Sequence, residues 1–113
     1  MQDVSFLIKR TDRKAWQPMI SVIEKAGYEV LVDPVPSEVT VVLSGCFVNP
    51  FAIQGKKILL THSKEWGSLW ESIHKVVLKE YYDSIISIEK IPPNLLMGVI
   101  RGEIEAAKPG SKD

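Results

Sequence analysis

The sequence predicts a single α/β domain, a three-layer sandwich on a mostly parallel five-stranded sheet. Three observations carry this. Short β-branched and aliphatic runs alternate with segments of helical periodicity. Two of the runs, residues 39–43 (VTVVL, apolar apart from Thr40) and 57–61 (KILLT, apolar between Lys57 and Thr61), are apolar on both faces, as in a sheet covered by helices on both sides. The chain has 113 residues, 45% apolar and 25% charged, the size and composition of one globular domain that buries roughly 65% of its unfolded surface.

Residues 4–9 read as the first strand, rich in Val, Phe, Leu and Ile, which ends in the basic loop Lys9-Arg10-Thr11-Asp12-Arg13-Lys14. Trp16, Met19, Ile20, Ile23 and Ala26 then recur at three- and four-residue spacing, with Glu24 and Lys25 on the other face. This is an amphipathic helix with Gly27 as its C′ residue. Pro18 inside a helix costs about 3 kcal/mol, so either the helix begins close to Trp16 or its first turn is distorted. Residues 28–32 form a second strand. The link that follows, Asp33-Pro34-Val35-Pro36-Ser37, is too short for a helical crossover and implies either an antiparallel edge strand or a minimal crossover. Residues 39–43 belong at the sheet centre. Ser44-Gly45-Cys46 ends that strand, and 47–54 reads as a loop with room for one helical turn before Gly55.

Residues 57–61 are the fourth strand. Ser68 and Glu71 make an S-x-x-E capping box, and Leu69, Ile73, Val76, Val77 and Tyr81 supply the stripe of a second helix. Residues 84–88 (SIISI) are the fifth strand. The rigid segment Ile91-Pro92-Pro93-Asn94 then offers Asn94 as the cap of a last helix over 95–107. Gly98 and Gly102 either weaken that helix by about 1 kcal/mol each relative to Ala or let it pack closely on the sheet. Residues 1–107 thus make one α/β domain and 108–113 a flexible tail. Five strands and three helices fit a Rossmann-like or flavodoxin-like sandwich.

Lys plus Arg equal Asp plus Glu at 14 each, so no net field steers nucleic acid or a membrane towards the chain as a whole. The one cysteine, Cys46, excludes an internal disulfide. The N-terminus lacks the basic start and apolar run of a secretory signal, and no apolar stretch approaches the roughly 20 residues that span a bilayer. The expected location is cytoplasmic. Two histidines and one cysteine on separate elements match no metal-ligand spacing, and neither glycine-rich phosphate motif occurs, so neither metal nor cofactor is expected.

Open parallel sheets bind ligands outside the carboxyl ends of their strands, where strand order reverses. With order 2-1-3-4-5, Lys9, Arg10 and Thr11 face Ser44, Gly45 and Cys46, with His62 and Ser63 beside them. Cations, hydroxyls, a glycine and the free N–H groups of the first helix suit a phosphate or carboxylate. Against this, basic residues at a strand end are more often a solvated rim. A lone histidine such as His62 is more often structural or exposed than a base or phosphate donor. Cys46 is more often an apolar filler than a nucleophile served by His62 and Glu65, which leaves His62 and Cys46 as the only catalytic candidates. Trp66, with Phe47 and Phe51, offers an aromatic edge for stacking or for a partner protein, while Trp70 reads as core and His74 carries no role.

Three segments, VTVVLSG, GKKILLTHS and the helix running into EYYDSIISIEK, together resemble the N-terminal Rossmann-like half of GT-B glycosyltransferases over about residues 39–90. The resemblance implies that His62 and Ser44-Gly45 line an inter-domain cleft facing the acceptor. Those enzymes need a second half for most donor-nucleotide contacts, and 113 residues contain none. Phosphoacceptor receiver domains have a similar length and strand order. They need an acidic pair after the first strand, where this chain has Lys9-Arg10, and an aspartate after the third, where it has Ser44-Gly45; the residues disfavour that family.

The expectation is a small intracellular protein holding an anionic small molecule, of nucleotide or nucleotide-sugar type, at the carboxyl edge of the sheet. As an isolated chain it reads as a binding module more than a catalyst; if catalytic, it is glycosyltransferase-like with a partner subunit. The alternative is a protein–protein interaction or oligomerisation module without catalytic activity, whose partner is another protein or a second copy.

Overall fold

The computed structural model describes residues 2–33, 35–43, 55–61, 80 and 82–107. Its strands are β1 (Gln2–Ile8), β2 (Val30–Leu31), β3 (Ser37–Leu43), β4 (Lys56–Thr61) and β5 (Ser84–Ser87), with helices α1 (Gln17–Lys25) and α2 (Pro93–Ala107). The sheet order is β2-β1-β3-β4-β5 and all four pairings are parallel, which makes this a flavodoxin-like α/β fold. The helix expected over 69–81 lies outside the described residues, apart from Glu80.

The open question about the link after β2 resolves as the minimal crossover: β2 pairs β1 in parallel through Phe6–Val30 and Leu7–Leu31. β2 is only two residues long: its pairing with β1 ends at Leu31. Pro18 is accommodated because α1 starts beside it: Trp16 is the N-cap, and the proline stands in the first turn, where its missing N–H has no helical acceptor to lose. The helix ends in a Schellman motif. The Tyr28 N–H donates to Ile23 O at 3.3 Å and the Gly27 N–H to Glu24 O at 3.0 Å, with Gly27 at φ +98°.

Two corrections concern α2. It begins at Pro93, so Asn94 is inside its first turn and is not its cap; a proline at the first helical position has the right φ already. Gly98 and Gly102 do not seat the helix on the sheet either. Both are exposed, and a Cβ at either would meet nothing within 4 Å.

Strand alternation divides the core. On one face Phe6, Ile8, Val39, Val41, Leu43, Ile58 and Leu60 pack with Trp16, Ile20 and Ile23 from the α1 region and Leu96, Ile100 and Ile104 of α2. The other face buries Leu7, Val42, Leu59 and Tyr82. Burial on both faces of β3 and β4 is why their sequences read as continuous apolar runs. Within this apolar sheet, Ser37 Oγ donates to Ser5 Oγ at 2.8 Å, and Ser5 and Thr40 hydroxyls lie 3.5 Å apart, so the buried hydroxyls satisfy one another between β1 and β3.

Burial pushes the Tyr82 phenol up to about 12. In the unfolded chain it ionises near 10, so between these values the native state holds one proton more than the unfolded state. Stability therefore falls as pH rises above 10, by about 1.4 kcal/mol per unit until the native phenol ionises. Denaturant midpoints from pH 8 to 12 should show this loss in the parent chain. Tyr82→Phe should flatten the part of the slope that Tyr82 contributes.

Candidate functional site

The carboxyl edge of the sheet is reached first. β1 ends at Ile8, Lys9 follows in an extended conformation, and Arg10–Asp12 form one 3-10 turn that leads towards α1. Lys9, Arg10 and Thr11 are all exposed. Next to them Arg13 reaches back to the β2 end of the sheet and donates to Val30 O at 3.4 Å. The expected contribution of free helix N–H groups is small: Pro18 has none, Trp16 N–H donates to Asp12 O at 3.1 Å, and Gln17 N–H to Lys14 O at 3.4 Å. Ser44, Gly45, Cys46, His62 and Ser63 lie outside the described residues, as do Phe47, Phe51 and Trp66. At the same edge of β4 and β5, Thr61 and Ser87 are register partners; the Ser87 hydroxyl is buried without a hydrogen-bond partner.

The amino edge carries a second polar group of residues. Asp83 fastens β5 to β4: its Oδ2 accepts the Lys57 N–H at 2.8 Å, its own N–H donates to Lys57 O at 2.8 Å, and Lys56 Nζ lies 3.8 Å from its other oxygen. Ser84 Oγ donates to Glu103 Oε1 at 2.7 Å, tying β5 to α2. Between these groups and Ala106 and Ala107 is an open cleft of about 190 Å³.

The most distinctive surface is the outside of α2. A surface helix needs one apolar stripe, and α2 spends Leu96, Ile100 and Ile104 on the core. Yet Leu95 is 54% exposed and Val99 38% exposed, and Gly98, Gly102 and Ala106 are exposed beside them. Leu95, Val99, Gly102 and Ala106 are spaced four, three and four residues apart, so they fall on one line along the helix, the spacing of a helix-pairing seam. The seam was missed in sequence reasoning because PNLLMGVIRGEIEAA has apolar residues on more than one face, and the pattern alone does not say which face meets the sheet. Among the described residues no helix is long and apolar enough to cross a membrane, so that property does not explain the second apolar face.

No protein-family model matches the sequence, and no curated protein matches it. Among solved structures, the chain is similar to a CheY-like response regulator receiver domain protein from Methanospirillum hungatei JF-1. The TM-score is 0.56 at 15% identity, over 95% of this chain and 97% of that one. The likeness is one of fold. It overturns the glycosyltransferase resemblance: the described parts of the segments that suggested it are parallel strands of one sheet, a pattern common to doubly wound folds, and 95% of the chain matches a receiver-domain fold instead. The receiver's acidic pair has no counterpart directly after β1, where Lys9 and Arg10 stand.

Proposed function

We propose that this chain is a receiver-like interaction module that binds a protein partner and carries out no chemistry of its own. The observation that carries the reading is the second apolar face of α2, where Leu95 and Val99 stand in solvent on a helix whose core face is already filled. A leucine and a valine held rigidly on a helix, with exposed glycines beside them, form a surface that a partner helix can approach closely. The shared fold with a receiver domain supports a signalling or assembly role over the holding of a nucleotide sugar, and the lysine and arginine after β1 argue against a phosphoacceptor centre of the receiver type. The reading places the protein in the cytoplasm, on the strength of its single cysteine and short apolar stretches.

A photo-crosslinking side chain at Gly98 tests it in cells. Protein adducts are expected there, absent with the same probe at the exposed Glu24 of α1, and lost when Leu95→Lys and Val99→Lys are added. No adduct, or adducts indifferent to Leu95 and Val99, overturns the reading.

A further inference from the structure

We propose that α2 is a releasable element: in a minor state of the folded protein it leaves the sheet and unfolds as one unit, while β1, β3 and β4 stay paired. The proposal stands on observations separate from the interaction-module reading. It starts from the local preferences of the α2 sequence, which oppose a helix at its start, in its middle and at its end.

At the start, the N-cap place falls to Pro92, which has no side-chain acceptor for the first helical N–H groups, and no acid stands in the first turn. In the middle are Gly98 and Gly102, both exposed. A glycine inside a helix weakens it relative to alanine, and nothing here demands one: neither has a positive φ, and a Cβ at either position would meet nothing within 4 Å. At the end no base stands in the last turn, while Glu103 and Glu105 lie near the negative end of the helix dipole. Arg101 and Glu105 are four residues apart but with the base first, the weaker order for such a pair. A 15-residue helix with these faults does not hold by itself in water.

Docking holds it. Leu96, Ile100 and Ile104 are buried against the sheet, and Ser84 Oγ donates to Glu103 Oε1 at 2.7 Å. Helix and docking are lost together, because the three anchors share a face only while the backbone is helical. The rest of the fold keeps its own supports. α1 packs beside β2 and α2 beside β4, the β1–β3 and β3–β4 ladders use no atom of α2, and the opposite sheet face has its own cluster of Leu7, Val42, Leu59 and Tyr82. An element held in this way opens below the free energy of global unfolding. Release also breaks up the face shared by Leu95 and Val99, so a partner that reads this face binds the docked state alone and holds α2 down. That consequence, unlike the release itself, rests on the interaction-module reading.

Native-state hydrogen exchange on the full chain, followed through low urea, tests the proposal. The amides of residues 97–106 should share one protection level, roughly tenfold or more below that of Val41 and Val42 in β3, with a weaker dependence on urea because less surface is exposed. Val42→Ala, on the sheet face away from α2, should lower the protection of β3 by about tenfold or more and leave that of α2 unchanged, since residue 42 stays buried in the released state. Gly98→Ala and Gly102→Ala should each raise α2 protection about fivefold. Equal protection and urea dependence in α2 and β3, or an equal fall of both in Val42→Ala, means that α2 leaves only when the whole chain unfolds, and overturns the proposal. Glycine variants that leave α2 protection unchanged, or lower it, overturn it too. Absence of adducts from the Gly98 probe removes the interaction-module reading and leaves the release standing; exchange of α2 only with the whole chain does the reverse.

Discussion

Gly55→Ala should lower unfolding stability by about 4 kcal/mol, seen as a large drop in the urea midpoint with the slope of the transition unchanged. Gly55 precedes β4 at φ +80°, in the left-handed region that side chains rarely adopt. The second cost is steric. An alanine Cβ there would clash with Ser37 O and lie 2.8 Å from Glu38 O, both main-chain atoms at the start of β3. Main chain inside a paired strand cannot swing aside as a side chain can. Relief requires β4 to move away from β3, whose pairing runs through Val39–Lys56 and Val41–Ile58. Gly27→Ala is the internal control: φ is +98°, but nothing lies within 4 Å, so only the conformational cost of about 1 kcal/mol applies. Equal losses at the two glycines would show that the approach of the chain before β4 to β3 is not what Gly55 serves.

That pair of glycines also marks how far the sequence could be read. Gly27 followed a clear helical stripe, so its role as C′ residue was legible from local pattern alone. Gly55 could be read only as punctuation, because its need arises from a β3 carbonyl eighteen residues earlier, a tertiary fact. The central strands were legible for a related reason: a strand buried on both faces must be apolar throughout, and VTVVL and KILLT are close to that. The two-residue β2 reads in sequence as a longer strand because YEVLV looks extended along its whole length, while only Val30 and Leu31 pair with β1. The candidate site was less legible than the fold. Lys9, Arg10 and Thr11 were found at the carboxyl edge by topology, which predicts where loops gather but not whether side chains converge there. The α2 seam escaped because exposure is a property of the assembled fold. Leu95 and Leu96 are the same residue type in adjacent positions, and one is in solvent while the other is in the core.

Adjacent positions on α2 therefore give the second large effect, a separation of stability from association. Ile100→Ala should cost about 4 kcal/mol, because Ile100 is fully buried in the cluster joining α2 to the sheet and deleting it leaves a cavity that close-packed neighbours fill only in part. Val99→Lys, one residue earlier, should cost no more than about 1 kcal/mol, since Val99 lies at the surface, 38% exposed, and lysine favours a helix more than valine does. The same Val99→Lys chain should lose the protein adducts of the Gly98 probe, because a charge placed in the centre of an apolar seam must be desolvated for a partner to meet it. Ile100→Ala should keep those adducts at temperatures where it remains folded, since Ile100 belongs to the core cluster on the sheet side of the helix. Urea denaturation and crosslinking from the Gly98 probe on the two variants check both halves. If Val99→Lys unfolds the chain, the outer side of α2 is part of the core. If Ile100→Ala is neutral, α2 is not held to the sheet by the residues that face it.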